Sequence, residues 1–170
     1  AYGHRIAQMC AALGITHDSL VFPENQLPDL AKIEAALQGG TFSDVAVIHC
    51  ETTTGIMHPI ESIGSLAHAA GARYIVDAMS SFGAVPIDIA GASIDYLVSS
   101  ANKCIEGVSG FGFVIARRQA LLEAEGRGRS LSLDLLAQWK GLEATGQFLF
   151  TPPTHALLAF HQALLELESE

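Results

Sequence analysis

The amino-acid sequence predicts an α/β fold, with a mainly parallel β-sheet that carries helices on both faces. The first observation is a series of short runs rich in valine and isoleucine, which have the length of strands and not of helices. The second is that segments with helical periodicity accompany these runs along the chain. Continuously apolar strands are typical of a parallel sheet buried on both faces. The four runs lie at 44–50, 74–76, 96–98 and 112–116.

The helices are predicted from the spacing of apolar residues and from the residues at their ends. In the first helix, apolar residues recur at i, i+3, i+4 and i+7, and Gly14 follows as a stop signal. Asp29 is a suitable N-cap for the second helix. The predicted helices cover 5–13, 29–37, 60–70 and 156–168, and a short strand is predicted at 19–22.

The composition limits the possible functions. A chain of 170 residues that is 49% hydrophobic and 16% charged fits one soluble domain, which we take as 1–170. The net charge of −9 argues against nucleic acid as a partner. The three cysteines lack metal-ligand spacing, so we expect no metal site and no disulfide framework, and they fit a reducing cytoplasm. No apolar stretch has the length of a membrane span, so no membrane partner is expected.

Lys103 and Asp77 form the most informative pair. Each follows an apolar run, and 103 − 77 = 26 residues separate them. The chain has only three lysines, and Lys103 lies in a loop of small residues. In a parallel sheet the ends of neighbouring strands form the ligand site. A lysine that forms a Schiff base with pyridoxal phosphate, and a carboxylate that keeps the pyridine nitrogen protonated, require this placement. Each residue also has an ordinary interpretation when it is considered alone. An aspartate after a strand is usually an N-cap or a buried turn residue, and a lysine after a strand is usually exposed to solvent.

Other candidate residues are weaker. The threonine run that begins at Thr52 follows the first strong strand, where hydroxyls can bond a cofactor ring or the turn's own backbone. His49 lies late in a strand and is expected to be a half-buried core residue. No Gly-x-Ser-x-Gly or Gly-x-Gly-x-x-Gly motif is present in the required context, which disfavours a serine hydrolase and a dinucleotide-binding protein. The glycine-rich segment 107–112 precedes a strand and is interpreted as a tight turn.

Several motifs together resemble one family. In order, they are HCETTTG at 49–55, DAMSSFG at 77–83, SSANKC at 99–104, RSLSLD at 129–134 and TPPTH at 151–155. This set is similar to the class V aminotransferases of fold type I, and within them to the 2-aminoethylphosphonate–pyruvate transaminases. The resemblance runs over essentially the whole chain. It implies a three-layer large domain that binds pyridoxal 5'-phosphate.

The resemblance implies roles for five residues. Lys103 would bind the cofactor covalently and then act as the base, and Asp77 would bind the pyridine nitrogen. Thr52 would bond the cofactor near its ring oxygen, and Asn102 would lie near the phosphate. Thr151 would reach the phosphate of the neighbouring subunit's cofactor, because active sites in this class are shared in a homodimer.

The implied reaction transfers the amino group of 2-aminoethylphosphonate to pyruvate and yields phosphonoacetaldehyde and L-alanine, a step of phosphonate degradation. The family's amino-terminal Ser-Gly-Thr turn and its carboxy-terminal small domain are absent from this sequence, and Ser109 stands where proline is expected. We therefore expect a large-domain segment truncated at both ends, with weak cofactor binding. The alternatives are an alanine–glyoxylate or serine–pyruvate aminotransferase, and a catalytically incomplete cofactor-binding or dimerisation fragment.

Overall fold

The computed structural model describes residues 2–169. Six α-helices and four strands follow one another along the chain, with a short 3-10 helix at Leu131–Leu133. The helices are α1 (Tyr2–Ala12), α2 (Leu30–Gly39), α3 (Ile60–Ala69), α4 (Arg118–Leu122), α5 (Leu135–Thr145) and α6 (Thr154–Ser169). The strands are β1 (Asp44–Ile48), β2 (Arg73–Asp77), β3 (Tyr96–Ser100) and β4 (Gly112–Ala116).

The four strands form one mixed sheet in the order β1-β2-β3-β4. The first three are parallel, and β4 pairs antiparallel with β3. The glycine-rich segment before β4 permits this reversal, since it carries the chain directly from the end of β3 into its neighbour. The predicted α/β fold and its mainly parallel sheet are confirmed.

One face of the sheet packs against α2 and α3. Tyr74, Val76 and Leu97 alternate along β2 and β3 with residues of the opposite face and are fully buried in this core. Ile60 and Ile63 of α3 close the core from above. The opposite face carries α4, where the Tyr96 hydroxyl donates to the Ala120 carbonyl at 2.7 Å. Helices therefore cover both faces, as predicted.

The strand predicted at 19–22 does not form. This segment belongs to no helix or strand, and the side chains of Leu20 and Val21 are exposed by 50% and 67%. Phe22 alone packs against the core. A strand requires a neighbour that accepts its backbone hydrogen bonds, and no strand within residues 2–169 lies beside this segment. β-propensity alone was an insufficient criterion here.

A buried carboxylate joins the amino-terminal ends of two strands. Asp95 is only 1% exposed and accepts the Tyr74 backbone N–H at 2.8 Å. Arg117 Nη2 lies 2.6 Å from its Oδ1, and His68 Nε2 lies 3.2 Å from its Oδ2. His68 belongs to α3, Tyr74 to β2, and Arg117 directly follows β4. Asp95 therefore connects these three parts of the fold.

Gly64 allows α3 to approach the sheet closely, so Gly64→Ala is expected to be strongly destabilising. A Cβ at Gly64 would lie 2.1 Å from the Ala92 carbonyl oxygen and 3.0 Å from the Tyr74 ring. A backbone carbonyl and a buried aromatic ring cannot move aside easily, so the helix must shift. We expect this shift to lower the free energy of unfolding by about 1–3 kcal/mol. Urea denaturation measures this change.

The matched control for Gly64→Ala is Gly3→Ala in α1, where nothing lies within 4 Å of the added Cβ. That variant is expected to be unchanged or more stable by about 0.5–1 kcal/mol, because alanine restricts the unfolded chain. Equal unfolding free energies for the two variants would show that the close approach of α3 does not matter to stability.

Within residues 2–169, no helix is long and apolar enough to cross a bilayer.

Candidate active site at the carboxyl ends of the parallel strands

The carboxyl ends of the three parallel strands meet at one edge of the sheet. Ile48, Asp77 and Val98 share one register across β1, β2 and β3. Polar loops follow all three strands and contain Thr52, Asn102 and Lys103, while Asp77 is the last residue of its strand. Ligands in parallel sheets bind at this edge because successive loops diverge there and leave a crevice.

Asp77 is the last residue of β2 and is half-buried. Its Oδ1 accepts the Met79 backbone N–H at 2.9 Å, and within residues 2–169 its Oδ2 has no hydrogen-bond partner. Burial raises the pKa of Asp77, the Met79 hydrogen bond lowers it in part, and the charge of Glu51 raises it further. A cation placed against Oδ2 would therefore stabilise the ionised carboxylate.

The β1 loop presents Thr52 toward the Asp77 loop. Thr52 Oγ1 lies 2.6 Å from Ser80 Oγ, which belongs to the segment that follows β2. The next two threonines face away, since Thr53 Oγ1 and Thr54 Oγ1 donate to the side chain and the carbonyl of Glu24. The structure thus separates the three threonines into one that borders the site and two that hold the loop.

The lysine loop follows β3 and places its polar residues in solvent. Ser99, Ser100 and Ala101 are buried, whereas Asn102 and Lys103 are exposed. The Glu106 N–H donates to the Lys103 carbonyl at 2.8 Å, which closes the turn. Within the described chain, Lys103 Nζ has no hydrogen bond or ion pair. Within residues 2–169, no carboxylate therefore holds the Lys103 side chain away from a ligand at this edge.

The Asp77 loop and the lysine loop pack against each other at Gly83. A Cβ at Gly83 would lie 2.8 Å from Ile105 Cγ1 and 3.3 Å from the Ile105 nitrogen. The φ of Gly83 is +98°, a conformation that favours glycine. The contact fixes the two loops relative to each other, and it explains physically why this loop ends in glycine.

The histidines near this edge are structural. His49 is 5% exposed and its Nδ1 lies 2.9 Å from Ser81 Oγ, while His58 Nδ1 lies 2.7 Å from the Ile48 carbonyl. Burial lowers the pKa of His49, the charge of Glu61 raises it, and His58 lowers it. The prediction that His49 is a core residue is confirmed.

Thr151 forms no hydrogen bond with the other predicted site residues within residues 2–169. It is exposed in the segment before α6, beside Phe150 and Pro152. Within the described part of the chain, no hydrogen bond joins Thr151 to Thr52, Asp77, Asn102 or Lys103. The structure therefore brings together two loops that carry Thr52 and Asp77, and a third loop in contact with them that carries Asn102 and Lys103.

Two residues of the site were not singled out from the sequence. Ser80 contacts Thr52, and Glu51 is 6% exposed and acts electrostatically on Asp77. The sequence did contain a signal for Glu51, since this glutamate directly follows the apolar run at 44–50. Acidic side chains are seldom buried without a role. For Ser80 only the three-dimensional contact reveals its position.

The sequence and the fold have clear relatives. The family model described as aminotransferase class-V matches residues 4–169. The chain is 55% identical over 172 aligned residues to 2-aminoethylphosphonate–pyruvate transaminases from Salmonella paratyphi B and Salmonella enteritidis. The alignment covers 100% of this chain and 47% of each relative, so the chain spans about half the length of these proteins.

Solved structures show the same fold. An alanine–glyoxylate aminotransferase from Nostoc sp. has a TM-score of 0.88 at 23% identity, over 100% of this chain and 46% of that protein. A pyridoxamine–pyruvate aminotransferase from Mesorhizobium loti has a TM-score of 0.78 at 27% identity, over 88% of this chain and 39% of that protein. With the family match over nearly all of its residues, the chain belongs to the class V aminotransferases.

Proposed function

We propose that this chain is the cofactor-binding part of an enzyme that transfers the amino group of 2-aminoethylphosphonate to pyruvate, with pyridoxal 5'-phosphate as its cofactor. The observation that carries the proposal is the 55% identity to 2-aminoethylphosphonate–pyruvate transaminases along the whole chain. Identity at this level along the whole of the chain supports a shared substrate. The structural neighbours named above support the fold only.

The residues of the site fit this cofactor. Asp77 has a half-buried carboxylate oxygen without a hydrogen bond in the described chain, and its ionised form lacks a compensating cation. Lys103 offers an exposed amine without an internal partner. An aromatic ring with a basic nitrogen and an aldehyde requires these two groups in neighbouring loops.

Each residue then has a role that its position supports. When bound, pyridoxal phosphate supplies an aldehyde that accepts the amino group and a protonated ring that withdraws electrons from the substrate carbon. Asp77 Oδ2 accepts the ring N–H and holds that proton in place. Lys103 Nζ would hold the cofactor at its aldehyde and would serve as the base that moves the proton at the substrate carbon.

The remaining assignments concern the cofactor's periphery. Thr52 Oγ1 would donate to the ring oxygen, and its contact with Ser80 Oγ at 2.6 Å supports this assignment by holding the hydroxyl beside the Asp77 loop. Asn102, exposed beside Lys103, is assigned to the phosphate. We assign Thr151 to the cofactor of the second subunit in a homodimer, and it forms no hydrogen bond with the other four residues in the described chain. In this proposal 1–170 is a large-domain segment, and the protein acts in the cytoplasm.

The substrate assignment is tested by comparing amino donors. With pyruvate as acceptor, alanine formation is expected to be about 10²-fold or more faster in kcat/KM with 2-aminoethylphosphonate than with serine. The reason is that a site built around a phosphonate leaves buried polar groups unpaired when a serine carboxylate replaces it. Equal or higher efficiency with serine would contradict the assignment and favour a serine–pyruvate aminotransferase.

A further inference from the structure

An open cavity lies at the amino-terminal ends of the parallel strands, at the opposite edge of the sheet from the candidate active site. Its volume is about 540 Å³. The first residues of the three parallel strands, Asp44, Arg73 and Tyr96, line one side. Arg127 and Arg129 line the other side from the loop after α4. We refer to it as the arginine cavity. Arg73 and Asp77 occupy opposite ends of β2, which separates the two sites by roughly 13 Å along the strand.

The arginine cavity concentrates positive charge in an acidic protein. Three of the nine basic residues line it, although the net charge of the chain is −9. Arg73 is neutralised, because its Nε and Nη2 donate to the two oxygens of Asp44 at 2.7 and 2.9 Å. Within residues 2–169, neither Arg127 nor Arg129 forms an ion pair. Three arginines and one aspartate therefore give the lining a formal charge of +2, and the charge of Arg127 also acts on Asp44.

The loop that bears these two arginines is held in position. Gly126 has a φ of +73°, which lets the chain turn out of the helical region. A Cβ at Gly128 would lie 2.5 Å from Asp134 Oδ2, so the loop packs directly on the residue that caps α5. Arg129 Nη1 also donates to the Leu13 carbonyl. Two guanidinium groups thus project from an ordered loop and retain free N–H donors.

We propose that the arginine cavity is a binding site for a small dianion of the phosphate or phosphonate class. Guanidinium groups bind such oxygens through paired N–H donors, and Arg127 and Arg129 offer these donors from one short loop. The Arg73–Asp44 pair forms the floor, where Arg73 is held in one orientation. A singly charged carboxylate would leave one of the two positive charges uncompensated. The inference does not depend on the proposed transaminase activity, since it uses none of the residues of that site.

The experiment is a titration of the isotope-labelled 170-residue chain with inorganic phosphate, followed by two-dimensional ¹H–¹⁵N NMR at low ionic strength. Saturable shifts are expected for the amides of residues 126–129 and for Arg73. Arg127→Gln is expected to weaken the affinity at least about tenfold, because a charge-assisted hydrogen bond is lost. The matched control is Arg118→Gln, which removes the same charge from α4, where Arg118 stacks on Trp139 outside the cavity.

Two further arms identify the ligand and the site. Lys103→Ala is expected to bind phosphate at 126–129 as tightly as the unmodified chain, which separates this cavity from the candidate active site. Methylphosphonate and 2-aminoethylphosphonate distinguish a phosphonate-selective site from a general phosphate site, and both outcomes support the proposal. Shifts that do not saturate, or equal affinities of Arg127→Gln and Arg118→Gln, would mean an adventitious ion only and would overturn it.

Discussion

Lys103→Ala is expected to abolish both cofactor attachment and amino transfer. The substitution removes the amine that would bind the cofactor and the base that would move the substrate proton, so the two functions are lost together. Transamination is expected to fall by about 10⁴-fold or more, since within residues 2–169 the other two lysines lie in α2 and α5. Borohydride reduction of the chain loaded with pyridoxal phosphate, followed by peptide mass mapping, measures the attachment directly.

Two variants serve as controls for Lys103→Ala. Lys32 lies in α2 and Lys140 in α5, where Lys140 pairs with Glu125. Both are outside the candidate site, and alanine at either position is expected to leave the cofactor adduct on the Lys103 peptide unchanged. An adduct that maps to Lys32 or Lys140 in the unmodified chain would refute the assignment of Lys103.

Asp77→Asn is expected to lower kcat about 10²-fold or more, which corresponds to at least about 2.7 kcal/mol of transition-state stabilisation. Asparagine preserves the hydrogen bond from the Met79 N–H but lacks the negative charge that keeps a ring proton in place. The loss therefore reports the charge and not the shape of the site. Steady-state kinetics measures it, and an unchanged kcat would rule out the contact to the ring nitrogen.

The same substitution is expected to stabilise the cofactor-free chain. Burial raises the pKa of Asp77 above that of an exposed carboxyl, so the fold disfavours its ionised form. That unfavourable contribution is absent below the carboxyl range near pH 3.9 and develops as the pH rises through the raised pKa. Asp77→Asn should therefore gain unfolding free energy relative to the unmodified chain between about pH 4 and pH 7.

Asp88→Asn is the matched control for the stability measurement. Asp88 is exposed and also accepts a backbone N–H, from Gly91 at 2.8 Å. Removal of this solvated charge is expected to change the unfolding free energy by no more than about 0.5 kcal/mol. If Asp77→Asn behaved like Asp88→Asn at every pH, the half-buried carboxylate would not be strained by its environment.

Local sequence patterns predicted most elements because their determinants are local. The N-cap at Asp29 begins α2 as expected, with its side chain accepting from the backbone of Ala31 and Lys32. The α5 helix was not predicted, although Asp134 caps it by accepting the Ala137 N–H. Its apolar side chains are spread around the helix, with Leu135 exposed and Leu136 buried, so no helical stripe marked it.

The sequence by itself determined the fold class, the family and the identity of the residues at the strand ends, since continuous apolar runs and short motifs are properties of the chain. Only the tertiary structure shows that Thr52 contacts Ser80 after β2 while the neighbouring Thr53 contacts Glu24. It also excluded the strand at 19–22 and created the arginine cavity. Strand pairing, side-chain burial and the clustering of charged side chains depend on residues that are far apart in the sequence. No local sequence pattern encodes these properties.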